Sequence, residues 1–338
     1  MFTPNITVIN KNEEYTEIVR AIIKKKKLIP AFRVLNFGKE SFKEASKAFF
    51  SHNNLPVDEI VVTSIDPTKI IYQPIEIPSV KNMKTLLSIA NFKAAMQFSL
   101  PPKEVQIDSI NGFNSIKKGS IIPTFVVAKR ATLAEFEREI MSAGFPAIDI
   151  LSIKPHSVLN LINKDLTAKN YILFVVDYNY AMIFIVENNE IIGINIFDEG
   201  FGDLKNIYQW KYNEDPSLFE RELLIGKSEF SEKRIDEIST MLSEQLGYQM
   251  KMNIQNSLSN SPNIKKSDWD KYIDFYVIGQ SELSTEVYYE ALNKCLIEDY
   301  KVSIVPMINQ NKGLISYSSY GLLLRGGESF EKNKFSLE

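Results

Sequence analysis

An aspartate at the end of an apolar strand has two uses. In YILFVVDYNYAMIFIVENNEIIG, residues 171–193, Asp177 is the only charged group before Glu187. It stands where a buried strand gives way to a short turn and a second strand running back beside the first. A carboxylate there can hold a metal-bound water next to a phosphate, or it can accept backbone N–H groups and open the turn. Both readings stay open on the sequence.

Other residues offer little chemistry. His52 in SHNN and His156 in KPHS sit beside turn formers, belong to no HExxH or HxH pair, and read as turn or surface histidines. Cys295 is the single cysteine, so neither a disulfide framework nor a cysteine zinc site can form within the chain, and a reducing compartment fits. Neither GxSxG nor GxxxxGK[ST] occurs, which removes sequence support for serine hydrolases and P-loop NTPases. With 39 basic and 42 acidic residues the net charge is -3, giving no pull towards nucleic acid or an anionic membrane. The start, MFTPNITVINKNEEY, lacks the pattern of a secretory signal, and no run reaches the roughly 18 apolar residues of a membrane-spanning helix. A cytoplasmic protein without direct membrane insertion is expected.

The elements that must carry Asp177 follow from periodicity. ITVIN reads as a strand, EEYTEIVRAIIKKKK as a helix, AFRVLNF as a strand, ESFKEASKAFFSHNN as a helix and EIVVTSI as a strand buried on both faces, an α/β layer. Pro74 and Pro78 then mark a change. KNMKTLLSIANFKAAMQFSL reads as a helix ending before Pro101, EVQIDSINGF and SIIPTFVVAKR as a hairpin around NSIKKG, and LAEFEREIMSAGF as a helix closed by Gly144. IDILSIKPHSVLNLIN returns to strand and helix. From residue 171 a second α/β unit follows: strand, turn, strand, the strand IIGINIFDEG, a long helical region over 218–256, the strand DFYVIGQ, the helix STEVYYEALNKCLIED, the strand KVSIVP and a closing helix around ISYSSYGLLLRGG. NSLSNSPNIKKSD is the most loop-like stretch. No repeat of 20 to 50 residues is present; what recurs is the strand, turn, strand, helix order.

Two such halves, the second with an aspartate at its first turn and a glycine-terminated third strand, resemble the fold shared by actin, sugar kinases and heat-shock chaperone ATPases. With the extra module near 76–150 and the wording AGFPAIDILSIKPHSVLNLI and YSSYGLLLRGG, the chain resembles the PilM family of type IV pilus assembly proteins. It also resembles the cytoplasmic domain of GspL proteins and, more distantly, FtsA. The resemblance implies an α/β, actin-like, two-lobed body with a small inserted α+β module. Residues 1–75 and 151–165 would form the first subdomain, 76–150 the inserted module and 166–338 the second lobe.

It also implies where nucleotide would be met. The family's first phosphate loop, DxGxxxxK, corresponds to VINKNEEYTEI, with Asn10 at the aspartate's place and Asn12 at the glycine's. The second, DxGxxxT, is DYNYAMI: Asp177 remains, Asn179 replaces the glycine, and Met182 and Ile183 fill the threonine region. Gly200 and Gly202 in FDEGFGDL match the glycine turn after the third strand, and Gly279 with Gln280 in VIGQSEL stands where the family has its adenine-side Gly-Gly turn. Glycine lets backbone N–H groups approach phosphate, and asparagine tolerates a left-handed turn better than most residues, so the bends are expected without the phosphate-facing groups. The expected cofactor is none, or ATP with magnesium held weakly, and no catalytic or metal-ligating residue is expected.

The resulting expectation is a PilM-like or GspL-like scaffold at an inner-membrane assembly platform, reached through a partner. In the family that partner resembles PilN, whose N-terminal peptide lies in a groove beside the inserted module. Such a groove needs exposed apolar side chains, and Ile75, Ile77, Leu86, Ile89, Phe92 and Phe98 are its candidate walls, although their helical spacing equally describes core. The alternative is an active actin-like ATPase whose nucleotide state controls assembly or partner binding. A homo-oligomer, ring or filament, fits either. The tail GGESFEKNKFSLE has no sustained apolar face, which argues against self-tethering as in FtsA, and a sugar kinase would need intact phosphate loops.

Overall fold

In the computed structural model, residues 5–24, 27–55, 59–77, 83–110, 122–162, 168–226, 232–306, 315–330 and 336–337 are described. The chain begins with three strands, β1 (Asn5–Lys11), β2 (Tyr15–Lys24) and β3 (Lys27–Phe37), then α1 (Ser41–Phe50) and β4 (Ile60–Ile65). Next come β5 (Ile71–Pro74), α2 (Met83–Gln97), β6 (Val105–Ser109), β7 (Thr124–Lys129), α3 (Arg130–Ser142), β8 (Ile150–Ile153) and α4 (Lys154–Leu159). The second half holds β9 (Asn170–Val176), β10 (Ala181–Glu187), β11 (Glu190–Phe197), α5 (Leu204–Tyr212), α6 (Ser217–Ile225) and α7 (Glu232–Asn260). It closes with β12 (Asp274–Ile278), α8 (Glu282–Leu296), β13 (Lys301–Ile304), α9 (Tyr317–Phe330) and β14 (Ser336–Leu337).

Two sheets share one plan. The first runs β14-β3-β2-β1-β4-β8, and the second β11-β10-β9-β12-β13. In each, three consecutive strands pair antiparallel as a meander and the next two join in parallel on the far side of the first strand. Parallel neighbours need a crossover, and in the second sheet α8 supplies it between β12 and β13. This repeated meander-plus-crossover order is the actin-like α/β plan that the residue pattern suggested. A third sheet, β5-β7-β6, is antiparallel throughout. Helix α2 packs on it, burying Ala90, Ala94 and Ala95 with Ile75, Val105, Phe125 and Val127. The hairpin loop NSIKKG lies outside the described residues.

The chain divides into two compact units: 1–69 with 131–162 and 307–338, and 70–130 with 163–306. Three expectations change. Residues 131–150 go with the first unit, because Phe136, Ile140 and Phe145 complete a core with Ile9, Ile18, Phe49 and Val61. The closing helix α9 also goes there: its Gly321 lies so close to the Ser157 carbonyl that a Cβ would sit 1.8 Å from the oxygen, and a Cβ on Gly326 would press on Ile6 and Val62. The three-stranded sheet, rather than standing alone, falls with the second unit; there Asn263 accepts from the Ile122 N–H and donates to its carbonyl.

Local corrections have local causes. Residues 15–24, expected as a helix, form β2, whose Tyr15, Ile18, Val19 and Ala21 are buried, because a strand in mid-sheet hides both faces and loses its alternation. The long helical region is two helices, α6 and α7, with Gly226 closing α6. The loop-like NSLSN completes α7. His52 is an exposed turn residue, whereas His156 is half-buried within α4, and desolvation lowers its pKa to about 4.

Candidate functional site

The first loop joins β1 to β2. Alternation along β1 sends Ile9 and Lys11 to the α1 and α3 side and Ile6, Val8 and Asn10 to the α9 side. Lys11 lies 4.7 Å from the Phe42 ring centre, pairs with Glu139, and has its pKa lowered mainly by burial. Asn12 closes the turn with its side chain: Oδ1 accepts the N–H of Glu14 at 2.9 Å and of Tyr15 at 2.7 Å. Its φ is not positive, so the bend survives as an Asx turn and not through the left-handed region.

Asn10 and Glu17 face each other across β1 and β2, and both are fully buried. Asn10 Nδ2 donates to the hydroxyls of Ser316 and Ser319, each at 3.1 Å. Those hydroxyls donate onward to Glu17 Oε2 at 2.5 and 2.6 Å. Glu17 also accepts the Ser316 N–H at 3.2 Å and Arg33 Nε at 2.7 Å. A carboxylate thus sits at the amino end of α9, where free N–H groups and the helix dipole favour negative charge. Glu17 escaped sequence reasoning because the stretch was read as a helix, which hides its register with Asn10.

The second loop joins β9 to β10 and answers the question posed by Asp177. The residue is fully buried. Its Oδ1 accepts the Tyr178 N–H at 2.6 Å, its Oδ2 accepts the Tyr180 hydroxyl at 3.1 Å, and its backbone N–H donates to Tyr180 O at 2.8 Å. Both carboxylate oxygens are used by the turn itself. Asn179 is exposed at the tip, again without positive φ. Tyr178 turns inward, donates to Glu220, accepts from Lys205 Nζ at 3.0 Å and packs edge-on against Phe201.

Gly200 and Gly202 fit under this turn. Phe201 and Gly202 donate to the carbonyls of Asp177 and Tyr178 at 3.0 and 2.8 Å. A Cβ on Gly200 would lie 2.2 Å from Tyr178 O, and one on Gly202 would lie 2.7 Å from the Tyr178 ring. Glycine is required here because protein backbone approaches. Gly279 is similar: its N–H donates to Thr285 Oγ1 at 2.8 Å, and a Cβ would meet Ser284 Oγ at 2.3 Å. Gln280 is buried, with its N–H on Ser284 Oγ at 2.9 Å and Nε2 reaching Val176 O at 3.5 Å. Ser281 and Ser284 form a capping box that starts α8.

Asp177, Gly200, Gly202, Gly279 and Gln280 therefore gather at the carboxyl ends of β9 and β12, the usual ligand edge of such sheets. Asn10 and Asn12 form a separate group in the first unit. Among the described residues, no cluster of three or more His, Cys, Asp or Glu is placed to hold a metal ion. Each Asp177 oxygen accepts one hydrogen bond from the turn.

The candidate docking residues separate by exposure. Ile75 and Leu86 are buried, Ile77 and Phe98 pack against the α2 core, and Ile89 is half-buried. Phe92 alone of the six is largely exposed, at 56%. One turn along, Met96 is 65% exposed and was not singled out from the sequence, although its i+4 spacing from Phe92 was available.

No family model and no curated protein matches the chain. Among solved structures, the PilM-PilN type IV pilus biogenesis complex matches with a TM-score of 0.64 and 13% identity, over 96% of this chain and 98% of that one. The cytoplasmic domain of EpsL, an inner membrane component of the type II secretion system of Vibrio cholerae, matches at 0.44 and 9% identity, over 98% and 97%. The ethanolamine utilization protein EutJ from Carboxydothermus hydrogenoformans matches at 0.46 and 13%, over 96% and 91%. At these identities the likeness is one of fold, carried by the first. No helix among the described residues is long and apolar enough to cross a membrane.

Proposed function

We propose that this chain is a scaffold of a type IV pilus or type II secretion-like assembly platform, a PilM-like protein that docks the cytoplasmic segment of a PilN-like membrane protein and does not turn over ATP. The observation that carries the second half of this reading is the closure of both phosphate-type loops on protein groups. Asn10 Nδ2 donates to the Ser316 and Ser319 hydroxyls, and the two Asp177 oxygens accept from Tyr178 and Tyr180 of their own turn. The first half is supported by the end-to-end fold match to a protein solved with PilN and by the exposed Phe92 and Met96 on α2. Attachment at the inner membrane then runs through the partner.

Isothermal titration with Mg-ATP tests the nucleotide side: no heat at millimolar ligand is expected, and sub-micromolar binding establishes the ATPase alternative instead. Fluorescence anisotropy with labelled N-terminal peptides of PilN-like proteins tests the docking side. Saturable binding, weakened by Phe92→Glu, is expected; no binding to any such peptide removes the scaffold reading.

A further inference from the structure

The net charge of -3 hides an uneven distribution. Lys24, Lys25, Lys26 and Lys27 form the longest run of like charge in the chain, and no acidic residue occurs between Glu17 and Glu40. The run falls at one end of the first sheet, where β2 stops at Lys24 and β3 starts at Lys27, and these two are cross-strand partners. Lys24 is exposed and Lys27 half-buried.

Neighbouring charges leave this excess standing. The arginines of the same two strands are engaged elsewhere: Arg20 holds buried Glu59, and Arg33 holds buried Glu17. On the other side of β3 lies β14, with Ser336 beside Lys27 and Leu337 beside Leu28. The tail that carries it, EKNKFSLE, is neutral, with two lysines and two glutamates. Turn chemistry does not ask for lysine either. The matching connection in the second sheet, from β10 to β11, uses Asn188 and Asn189 at φ of 50° and 65°, a residue type that such a tight turn favours. Lys24 and Lys27 stand directly opposite each other, which disfavours the pairing. The run therefore gives the hairpin nothing, and a local rule broken in this way points to a partner outside the fold.

That partner is anionic, and the residues around the lysines choose among anions. Unspecific nucleic-acid binding uses a basic groove with aromatic side chains on which bases stack, whereas the flanking residues here are Ile22, Ile23, Leu28 and Ile29. An acidic peptide needs pockets or apolar side chains to hold its anchors, and Ile23 and Leu28 are buried. A surface of diffuse negative charge needs neither, and a cluster of four lysines is of the size that binds anionic lipid. We propose that the run Lys24–Lys27 adsorbs on anionic phospholipid headgroups without entering the bilayer. This deepens the platform reading and rests on it for access to a membrane: the partner gives one attachment and the lysines a second, each weak alone.

Cosedimentation with vesicles of phosphatidylglycerol in phosphatidylcholine tests it. Wild-type binding is expected to rise with the phosphatidylglycerol fraction at millimolar lipid and to fall at least about tenfold between about 0.05 and 0.5 M salt. Each lysine is worth about fivefold at such a surface, so Lys24→Glu with Lys27→Glu should weaken binding at least about twentyfold. Lys43→Glu with Lys47→Glu, the same change of net charge on the exposed face of α1, should stay within about twofold. Circular dichroism checks folding, and Lys24→Gln with Lys27→Gln carries the test if the reversed pair unfolds. No binding of the wild type to phosphatidylglycerol-rich vesicles, equal losses in the two pairs, or tighter binding to a single-stranded DNA oligonucleotide than to vesicles would overturn the proposal. Peptide anisotropy reads the partner contact separately: vesicle binding without peptide binding sinks only the platform reading, and the converse sinks only this one.

Discussion

Glu17 on the second strand accepts both the backbone N–H and the hydroxyl of Ser316, nearly three hundred residues later at the start of α9. The carboxylate serves as an internal anion at a helix amino terminus, and Asn10 and Ser319 complete its shell. The chain's last long helix is thereby fastened to β1 and β2 beside their connecting turn.

Removing that anion should be costly. Glu17→Gln leaves Arg33 without its buried partner and takes an acceptor from two hydroxyls, and a loss of about 3 kcal/mol in urea unfolding is expected. A loss under about 0.5 kcal/mol, the level of ordinary surface changes, would show that the network is incidental.

An aspartate at position 10 should not create a nucleotide site. Asn10→Asp places a second carboxylate opposite Glu17 across the strands, and that neighbour raises the pKa of the introduced carboxyl. A raised folded-state pKa gives stability that is present below the unfolded value and lost as pH rises through the folded value. Urea midpoints of the variant should therefore fall with rising pH relative to wild type, with no gain in Mg-ATP binding by calorimetry. Tight Mg-ATP binding by this single variant would contradict the reading.

Gly200→Ala and Gly38→Ala should differ sharply. The Cβ at Gly200 meets backbone at 2.2 Å and must displace the Asp177 turn, which should cost about 3 kcal/mol or prevent folding. At Gly38, φ is +97 and nothing lies within 4 Å, so the cost is conformational alone, about 1 kcal/mol. Thermal melts of the pair decide; equal shifts would mean that the close approach at Gly200 is relieved cheaply.

His156 makes stability depend on acid. Its pKa falls from 6.5 to about 4 through desolvation, so the unfolded chain takes up a proton that the folded chain refuses. Stability is fully present above pH 6.5 and declines as pH drops towards 4, by about 3 kcal/mol at most at 1.36 kcal/mol per unit. His156→Gln should flatten that part of a pH series of urea midpoints; an unchanged slope would assign the decline to other groups.

Much of the fold was legible because local pattern agrees with tertiary demand. β9 and β12 are apolar runs, α1 and α8 have helical spacing, Gly144 ends the segment after α3 with φ +99, and Asp177 marks its turn. The glycines at 200, 202 and 279 were visible as turn residues, but what approaches them was not, since Tyr178 comes from the β9–β10 turn and Ser284 from the first turn of α8. The docking candidates show the same limit: spacing places Ile75, Leu86 and Phe92 on helix and strand alike, and only packing against β6 and β7 decides that Phe92 stays exposed.

What the amino-acid order determined alone is the succession of most elements and the places of the turns at Gly144, Asp177, Gly200 and Gly279. Tertiary structure decided that β2 is a strand, that α9 returns to the first sheet, and that Asn10 Nδ2 meets the serines of α9 while Asp177 accepts from its own turn. The physical reason is range. Turn chemistry and periodicity act over a few residues, whereas the partner of Asn10 and Glu17 is brought to them only when α9 folds back across the chain.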